Sequence, residues 1–569
     1  MLFREEPNLK KIRSKRLSFL FFLVCFFTLI IIARLFYVQI IKHKFYQSLA
    51  RDTYQFGQTV LPKRGEFFTL NKPVNLDLLK KTFNQLKKDD TSSVAINRQG
   101  SLLYAVPAQI EQPIKTIEQV GPFLNWDEQE IKQRQEKMIK LTKEKDFYEP
   151  LAHRLSDFSW KEIEALNLLG IKKEEEDYRF YPEDELFSHL LGFVSYKDDI
   201  AQGQYGLEEY FDQELTRGQD VILTLDQTIQ FTARQYLLEA IDKFDAIGGT
   251  VVVMEVGTGR ILALVNNPDF NPNDYGSIKD YQIFSNSAIS KVYEPGSIFK
   301  VITMAAALNE QKVTPNTYYE DKGSVKVGPK IITNSTGESY GWQTMIQVLE
   351  KSLNTGAVFV AQQLTPTLFK NYISRFGFGS FTNIESVNEQ KGNINNLDKR
   401  EPIYLANISF GQGISVTPVQ LITAFGAIAN QGKLVSSHLV EGLTNLDGTI
   451  SWYQPKVVKQ VITSQAATDL TAMMVSVVKN GFCKSAGVAG YLVAGKSGTA
   501  QVPSKEGGGY SEDTIHSFIG FAPANQPRFV VLVKLDQPQK GDFSANTVGP
   551  FFSKLTSFIL DYLQISPSD

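Results

Sequence analysis

The stretch Glu294-Pro295-Gly296-Ser297-Ile298-Phe299-Lys300-Val301-Ile302-Thr303 organises the reading of this chain. Pro-Gly ends whatever precedes it, and the apolar run that follows places Ser297 in the first turn of a helix. Backbone N–H groups without helical partners, together with the positive end of the helix dipole, favour developing negative charge at that point. Lys300, three residues on, lies on the same face one turn in. A serine hydroxyl needs a base to become a nucleophile, and a lysine held neutral by burial or by a second cation can supply one.

The spacing S-x-x-K is weak evidence alone, because the chain carries a second copy, Ser476-Val477-Val478-Lys479. That copy lies deep in a predicted helix shortly before Asn480-Gly481, with no preceding turn and no exposed helix start, and reads as helix surface and core. Two further segments set the first copy apart. Ser352-Leu353-Asn354 follows a predicted helical stretch and precedes Thr355-Gly356, offering a hydroxyl and an amide on a short turn. Lys496-Ser497-Gly498-Thr499 follows a strand-like run over 491–494, with Gly498 permitting close backbone approach to a ligand. Singly each is an ordinary loop; it is their order, S-x-x-K then S-x-N then K-S-G, that matches penicillin-binding proteins and related β-lactamases.

Outward from these motifs the periodicity gives a fold class. A strand over 221–226 leads into a helix, and 249–256 with 261–265 around Gly257-Thr258-Gly259-Arg260 reads as a hairpin. Helices are predicted over 301–308, 345–364, 418–430 and 466–479, and strands over 491–494, 499–502, 517–521 and 529–534. A hairpin, then helices, then strands is an α+β order in which the terminal strands join the first hairpin in one antiparallel sheet. Residues 45–215 are richer in Lys, Glu, Gln and aromatics, with a helix predicted over 128–145.

Near the start, Leu17 to Ala33 are 17 residues without a charge, between Arg16 and Arg34, and the apolar run resumes with Leu35-Phe36-Tyr37-Val38. Apolar all round and lacking small residues at a cleavage site, the segment reads as a retained membrane anchor rather than a core helix or a cleaved signal. Arg4, Lys10, Lys11, Arg13, Lys15 and Arg16, opposed by Glu5 and Glu6, keep the short tail cytoplasmic and send the remainder across the membrane; Lys42 and Lys44 weaken the asymmetry without reversing it. The expected division is a tail over 1–16, an anchor over 17–41, a non-catalytic pedestal over 42–215 and a catalytic domain over 216–569. Two cysteines, Cys25 and Cys483, exclude a disulfide scaffold, and five scattered histidines argue against a dedicated metal site. A net charge of −2 gives no electrostatic reason to expect nucleic-acid binding.

With the three motifs in place, the chain resembles a class B penicillin-binding protein, a single-pass peptidoglycan D,D-transpeptidase, over nearly its full length. Supporting segments are Ala33-Arg34-Leu35-Phe36-Tyr37-Val38-Gln39-Ile40, Arg179-Phe180-Tyr181-Pro182, Ser188-His189-Leu190-Leu191-Gly192-Phe193, Gly206-Leu207-Glu208, Phe410-Gly411-Gln412-Gly413 and Thr417-Pro418-Val419-Gln420. The resemblance implies a serine β-lactamase-like catalytic fold on a pedestal, and roles residue by residue. Ser297 would attack the penultimate D-Ala carbonyl of a stem peptide and Lys300 would deprotonate it. Ser352, assisted by Lys496, would relay a proton to the leaving amine, and Asn354 would hold the substrate backbone. Ser497 and Thr499 would bind the terminal carboxylate, and the N–H groups of Ser297 and Thr499 would form the oxyanion hole. It implies no metal or organic cofactor, acylation of Ser297 by β-lactam antibiotics, and a separate glycosyltransferase partner in the membrane. The family usually carries R-G-x-I-x-D-R-N-G after the membrane helix; here Arg64-Gly65 continues as Glu66-Phe67-Phe68-Thr69-Leu70-Asn71, so the Asp-Arg pair is missing. Asn354-Thr355-Gly356, Phe376-Gly377-Phe378-Gly379 and Ser517-Phe518-Ile519-Gly520-Phe521-Ala522-Pro523 favour a division or septal type, while Lys496-Ser497-Gly498-Thr499-Ala500-Gln501 is shared with elongation types. A catalytically dispensable scaffold of the wall-synthesis machinery is the rival from another class. The stretch 504–514, with Gly507-Gly508-Gly509, reads as a loop between the last catalytic strands.

Overall fold

A computed structural model describes residues 7–41, 63–71, 83–197, 200–504 and 509–567. The first six residues with Arg4, Glu5 and Glu6, the lysines Lys42 and Lys44, and Gly507-Gly508 lie outside the described residues. The chain divides into two compact units, Met1–Pro62 with Asn97–Tyr178, and Lys63–Ile96 with Arg179–Asp569.

In the first unit, the helix Pro7–Phe36 continues into a wider turn at Tyr37–Ile41. Its segment Phe19–Ile40, 22 residues with none buried, is long and apolar enough to cross a membrane. Phe21, Phe22, Leu29 and Ile32 are all exposed, the pattern of a helix whose apolar surface is not spent on a protein core. The remainder of the unit closes on Leu103, Ile117, Val120, Met138 and Ile163. Its helix Glu128–Glu144 is started by Asp127, whose carboxylate accepts from the Glu130 N–H, and stopped by Lys145 at φ +52°.

In the second unit, the predicted hairpin is Gly248–Glu255 with Ile261–Asn267, and the late strands do join it. The antiparallel order is Ala494–Pro503, Tyr510–Ala522, Phe529–Asp536, Gly248–Glu255, Ile261–Asn267. Gly248–Glu255 is buried along almost its whole length because both faces of the sheet are covered. The helices Gln227–Phe244 and Gly549–Tyr562 pack on one face, and Pro418–Ala429 with Ser464–Lys479 on the other.

Two regions differ from the expected elements. The helix expected over 345–364 is two helices, Met345–Glu350 and Asn354–Gln362. Ser352 adopts φ +54°, a left-handed conformation that stops the first, and extended Leu353 restarts the second. The strands expected over 491–494 and 499–502 are one, Ala494–Pro503, so Lys496-Ser497-Gly498-Thr499 stands inside the ladder, with Lys496 opposite Ile519 and Thr499 opposite His516. Its partner strand Tyr510–Ala522 begins within the expected loop.

The segment that departs from the family pattern also has a place. Phe67–Leu70 is a buried strand, parallel to Val221–Leu223. Just before it, Arg64 pairs with Glu208 and Asp212, each at 2.8 Å. Arg179 donates to Glu208 at 2.6 Å and to the Gly65 carbonyl at 2.8 Å, and the Tyr181 hydroxyl reaches the same carboxylate at 3.2 Å. A Cβ on Gly65 would stand 1.8 Å from the Gln219 carbonyl oxygen. Three segments distant in sequence thus meet at Glu208, a fully buried carboxylate whose cost of desolvation is offset by two guanidinium groups.

Candidate active site

Ser297 sits on a tight turn, Gly296–Phe299, that runs directly into the helix Lys300–Asn309. The turn is clasped by backbone from two other motifs. Gly296, at φ +55°, donates its N–H to the Gly411 carbonyl at 3.2 Å, and a Cβ on Gly411 would lie 2.1 Å from the Gly296 oxygen. From the other side, a Cβ on Gly498 would lie 2.8 Å from the Pro295 oxygen and 3.0 Å from Ile298. The freedom of Gly498, expected to admit a ligand, is therefore used by the chain's own serine turn. Ala494–Pro503 is an edge strand, so the backbone groups of one side of it face this turn rather than another strand.

Lys300 points from the start of its helix into the interior and is 1 % exposed. Its Nζ donates to the Ser352 carbonyl at 2.5 Å and to Ser352 Oγ at 3.2 Å. Lys496, equally buried, donates from Nζ to the same Oγ at 3.0 Å and to the Ser497 carbonyl at 3.0 Å. The left-handed backbone at Ser352 is what turns both its carbonyl and its hydroxyl toward the lysines. Burial, and then the neighbouring Lys496 charge, hold Lys300 well below the ordinary lysine value. Burial also lowers Lys496. Among the described residues neither amine has a carboxylate partner, so burial and the repulsion of two cations favour loss of a proton from the pair, and a hydroxyl lies between them to carry it.

Asn354 opens the helix Asn354–Gln362 and donates from Nδ2 to the Thr333 carbonyl at 2.9 Å. The next residue fixes it. Thr355 Oγ1 donates to Asp321 at 2.7 Å, and that buried carboxylate also accepts from Asn334, from the Gly323 N–H and from the Tyr340 N–H. Among the described residues no cation pairs with this carboxylate, and its hydrogen bonds anchor the start of the helix. On the edge strand, Ser497 Oγ accepts from Cys483 Sγ at 3.2 Å, and Thr499 Oγ1 lies 2.9 Å from Ser544 Oγ. Glu294 accepts from the Gly413 N–H at 2.9 Å and from the Tyr510 hydroxyl at 3.0 Å, and burial pushes its carboxyl up.

The sequence-predicted residues Ser297, Lys300, Ser352, Asn354, Lys496, Ser497, Gly498 and Thr499 all lie in the second unit. Hydrogen bonds join Lys300, Ser352, Lys496 and Ser497 directly, while Gly498 and Thr499 border the serine turn. Sequence reasoning missed Asp321, Asn334, Ser544, Tyr510 and the place of Cys483 in the site. Only Glu294, three residues before Ser297, carried a local signal.

The family model for the penicillin binding protein transpeptidase domain matches residues 249–557, and that for the penicillin-binding protein dimerisation domain matches residues 87–228. The chain is a class B penicillin-binding protein. Among class B relatives, stage V sporulation protein D of Bacillus subtilis is 32 % identical over 97 % of this chain and 86 % of that protein. A probable peptidoglycan D,D-transpeptidase, PenA of Neisseria meningitidis, is 28 % identical over 100 % of this chain and 96 % of its own. The crystal structure of penicillin binding protein 3 from Mycobacterium tuberculosis, complexed with aztreonam, superposes with a TM-score of 0.65 at 28 % identity, covering 70 % of this chain and 92 % of that one.

Proposed function

We propose that this penicillin-binding protein is a serine D,D-transpeptidase that cross-links peptidoglycan stem peptides at the division septum. The observation that carries the reading is the Ser352 hydroxyl held between the amines of two buried lysines, Lys300 and Lys496, next to the clasped serine turn. Ser297 Oγ attacks the penultimate D-Ala carbonyl carbon while neutral Lys300 takes its proton. The resulting oxyanion is met by the N–H groups of Ser297 and Thr499, and Ser497 and Thr499 bind the terminal carboxylate. The C–N bond breaks, the departing D-Ala nitrogen receives a proton through Ser352 from the lysine pair, and an acyl-enzyme remains. An amine of a neighbouring stem peptide then attacks the ester carbonyl, returning the proton to Ser297 by the reverse route. Asn354 holds the donor peptide's backbone. A β-lactam acylates Ser297 in the same way, as a substrate mimic.

In this reading residues 1–16 are a cytoplasmic tail, 17–41 a single-pass anchor in the inner or plasma membrane, 42–215 a pedestal and 216–569 the extracytoplasmic catalytic domain, with the glycan polymerised by a separate glycosyltransferase in the same membrane. The apolar helix and the two family-model matches support that division. Septal rather than elongation work is supported by the Asn354-Thr355-Gly356 and Ser517–Pro523 segments, and by a relative named as a homologue of the transpeptidase FtsI in Mesostigma viride.

The test is twofold. A fluorescent penicillin should label the wild type and leave Ser297→Ala dark. Depletion of the protein should give filaments that wild type rescues and Ser297→Ala does not. Rescue by Ser297→Ala would make the protein a scaffold, and rounded rather than filamentous depleted cells would make it an elongation enzyme.

A further inference from the structure

Ser497 and Thr499 are two residues apart on one strand and so present their hydroxyls on one face of it. Each hydroxyl is met from behind by a side chain that none of the three motifs supplies. Cys483, a free thiol 1 % exposed just ahead of the turn Lys484–Ala486, donates to Ser497 Oγ at 3.2 Å. Ser544, 2 % exposed at the start of the short helix Ser544–Thr547, donates its backbone N–H to Thr499 Oγ1 at 3.2 Å and places its own Oγ 2.9 Å away. The two backing segments are tied to each other, because the Ser485 hydroxyl donates to the Ala545 carbonyl. They form one brace behind the edge strand.

A hydroxyl has one proton to give and two lone pairs to fill. Where a neighbour already donates to it, its own proton is released to point elsewhere. We propose that Cys483 and Ser544 are positioning residues for the transpeptidase reaction: by donating to Ser497 and Thr499 from behind, they orient both hydroxyl protons toward the terminal carboxylate of the substrate. The proposal rests on the carboxylate-binding reading of Ser497 and Thr499 given above. Its consequence is selective. Loss of the brace weakens capture of an anionic ligand and leaves the chemistry at Ser297 untouched.

The experiment uses the full-length protein in detergent and two acylating probes, benzylpenicillin and its methyl ester, with rapid-mixing kinetics separating the pre-covalent binding constant from the acylation rate. Cys483→Ala is expected to weaken pre-covalent binding of the acid about 3-fold, the scale of one weak hydrogen bond. The acylation rate constant and all constants for the ester should stay within 2-fold. Cys483→Ser keeps a donor and should restore binding of the acid. Ser544→Ala retains its backbone N–H bond and should act in the same direction with a smaller effect. Equal slowing of acid and ester, or failure of Cys483→Ser to restore the acid, would overturn the brace and leave a packing role. Ser497→Ala and Thr499→Ala are the references. If they discriminate acid from ester and Cys483→Ala does not, the brace alone falls; if they treat both probes alike, the carboxylate reading falls and the brace with it.

Discussion

The chain contains the tetrad S-x-x-K twice, at Ser297–Lys300 and at Ser476–Lys479, and the two copies lie in different surroundings. Ser476 lies within the helix Ser464–Lys479, where its hydroxyl donates to Glu350 at 2.5 Å, and Lys479 is exposed on the last turn. Ser297 opens a turn clasped by Gly411 and Gly498, and Lys300 is buried against a second lysine. The residue types and the spacing are identical. What differs is the helix start, where the first backbone N–H groups have no helical partners, and the burial that lowers the pKa of the lysine. The Ser476 hydroxyl is taken up by the Glu350 carboxylate, and Lys479 is exposed.

This contrast can be broken by substitution. Lys300→Ala should slow acylation by a β-lactam about 10²–10⁴-fold, the scale of a lost general base, while Lys479→Ala should acylate like wild type. Stopped-flow acylation decides it, and similar losses at both lysines would erase the distinction. The pH profile sharpens it further. Lys300 acts as a base only when deprotonated, so acylation should rise with pH along its depressed titration and level off well below the ordinary lysine value of 10.5. Removing the second cation with Lys496→Gln raises the Lys300 pKa, which moves that rising limb to higher pH whatever happens to the maximal rate. A limb that stays put would mean burial alone sets the shift.

Stability effects come next in size. Gly498→Ala forces a Cβ to within 2.8 Å of the Pro295 carbonyl and should cost about 1–3 kcal/mol in denaturant unfolding, with loss of penicillin labelling. Thr355→Val strips one donor from buried Asp321 and should cost about 1–3 kcal/mol by the same measurement. Ser476→Ala should be the mildest, about 1 kcal/mol or less, with labelling intact.

Much of the fold could be read from local pattern. The hairpin, the serine helix and the late strands all carry periodic apolar residues, and their union in one sheet follows from an α+β order. What escaped was set by single backbone conformations and by long-range contacts. Nothing in Met345–Gln362 signals that Ser352 turns left-handed, since serine has no special claim on that region, yet this turn aims its hydroxyl at both lysines. Gly498 was legible as a close approach, but the partner, Pro295, is about 200 residues away in sequence. Asp321 and Ser544 lie in segments without motif, and only folding brings them to Thr355 and Thr499. The pairing of Arg64 with Glu208 likewise joins residues 144 positions apart in sequence.

The proposed nucleophile is Ser297 and not Ser476. The protein acylated with benzylpenicillin, digested and mapped by mass spectrometry, should carry a single penicilloyl adduct on the peptide containing Ser297. An adduct on the Ser476 peptide, or one that persists in Ser297→Ala, would contradict it.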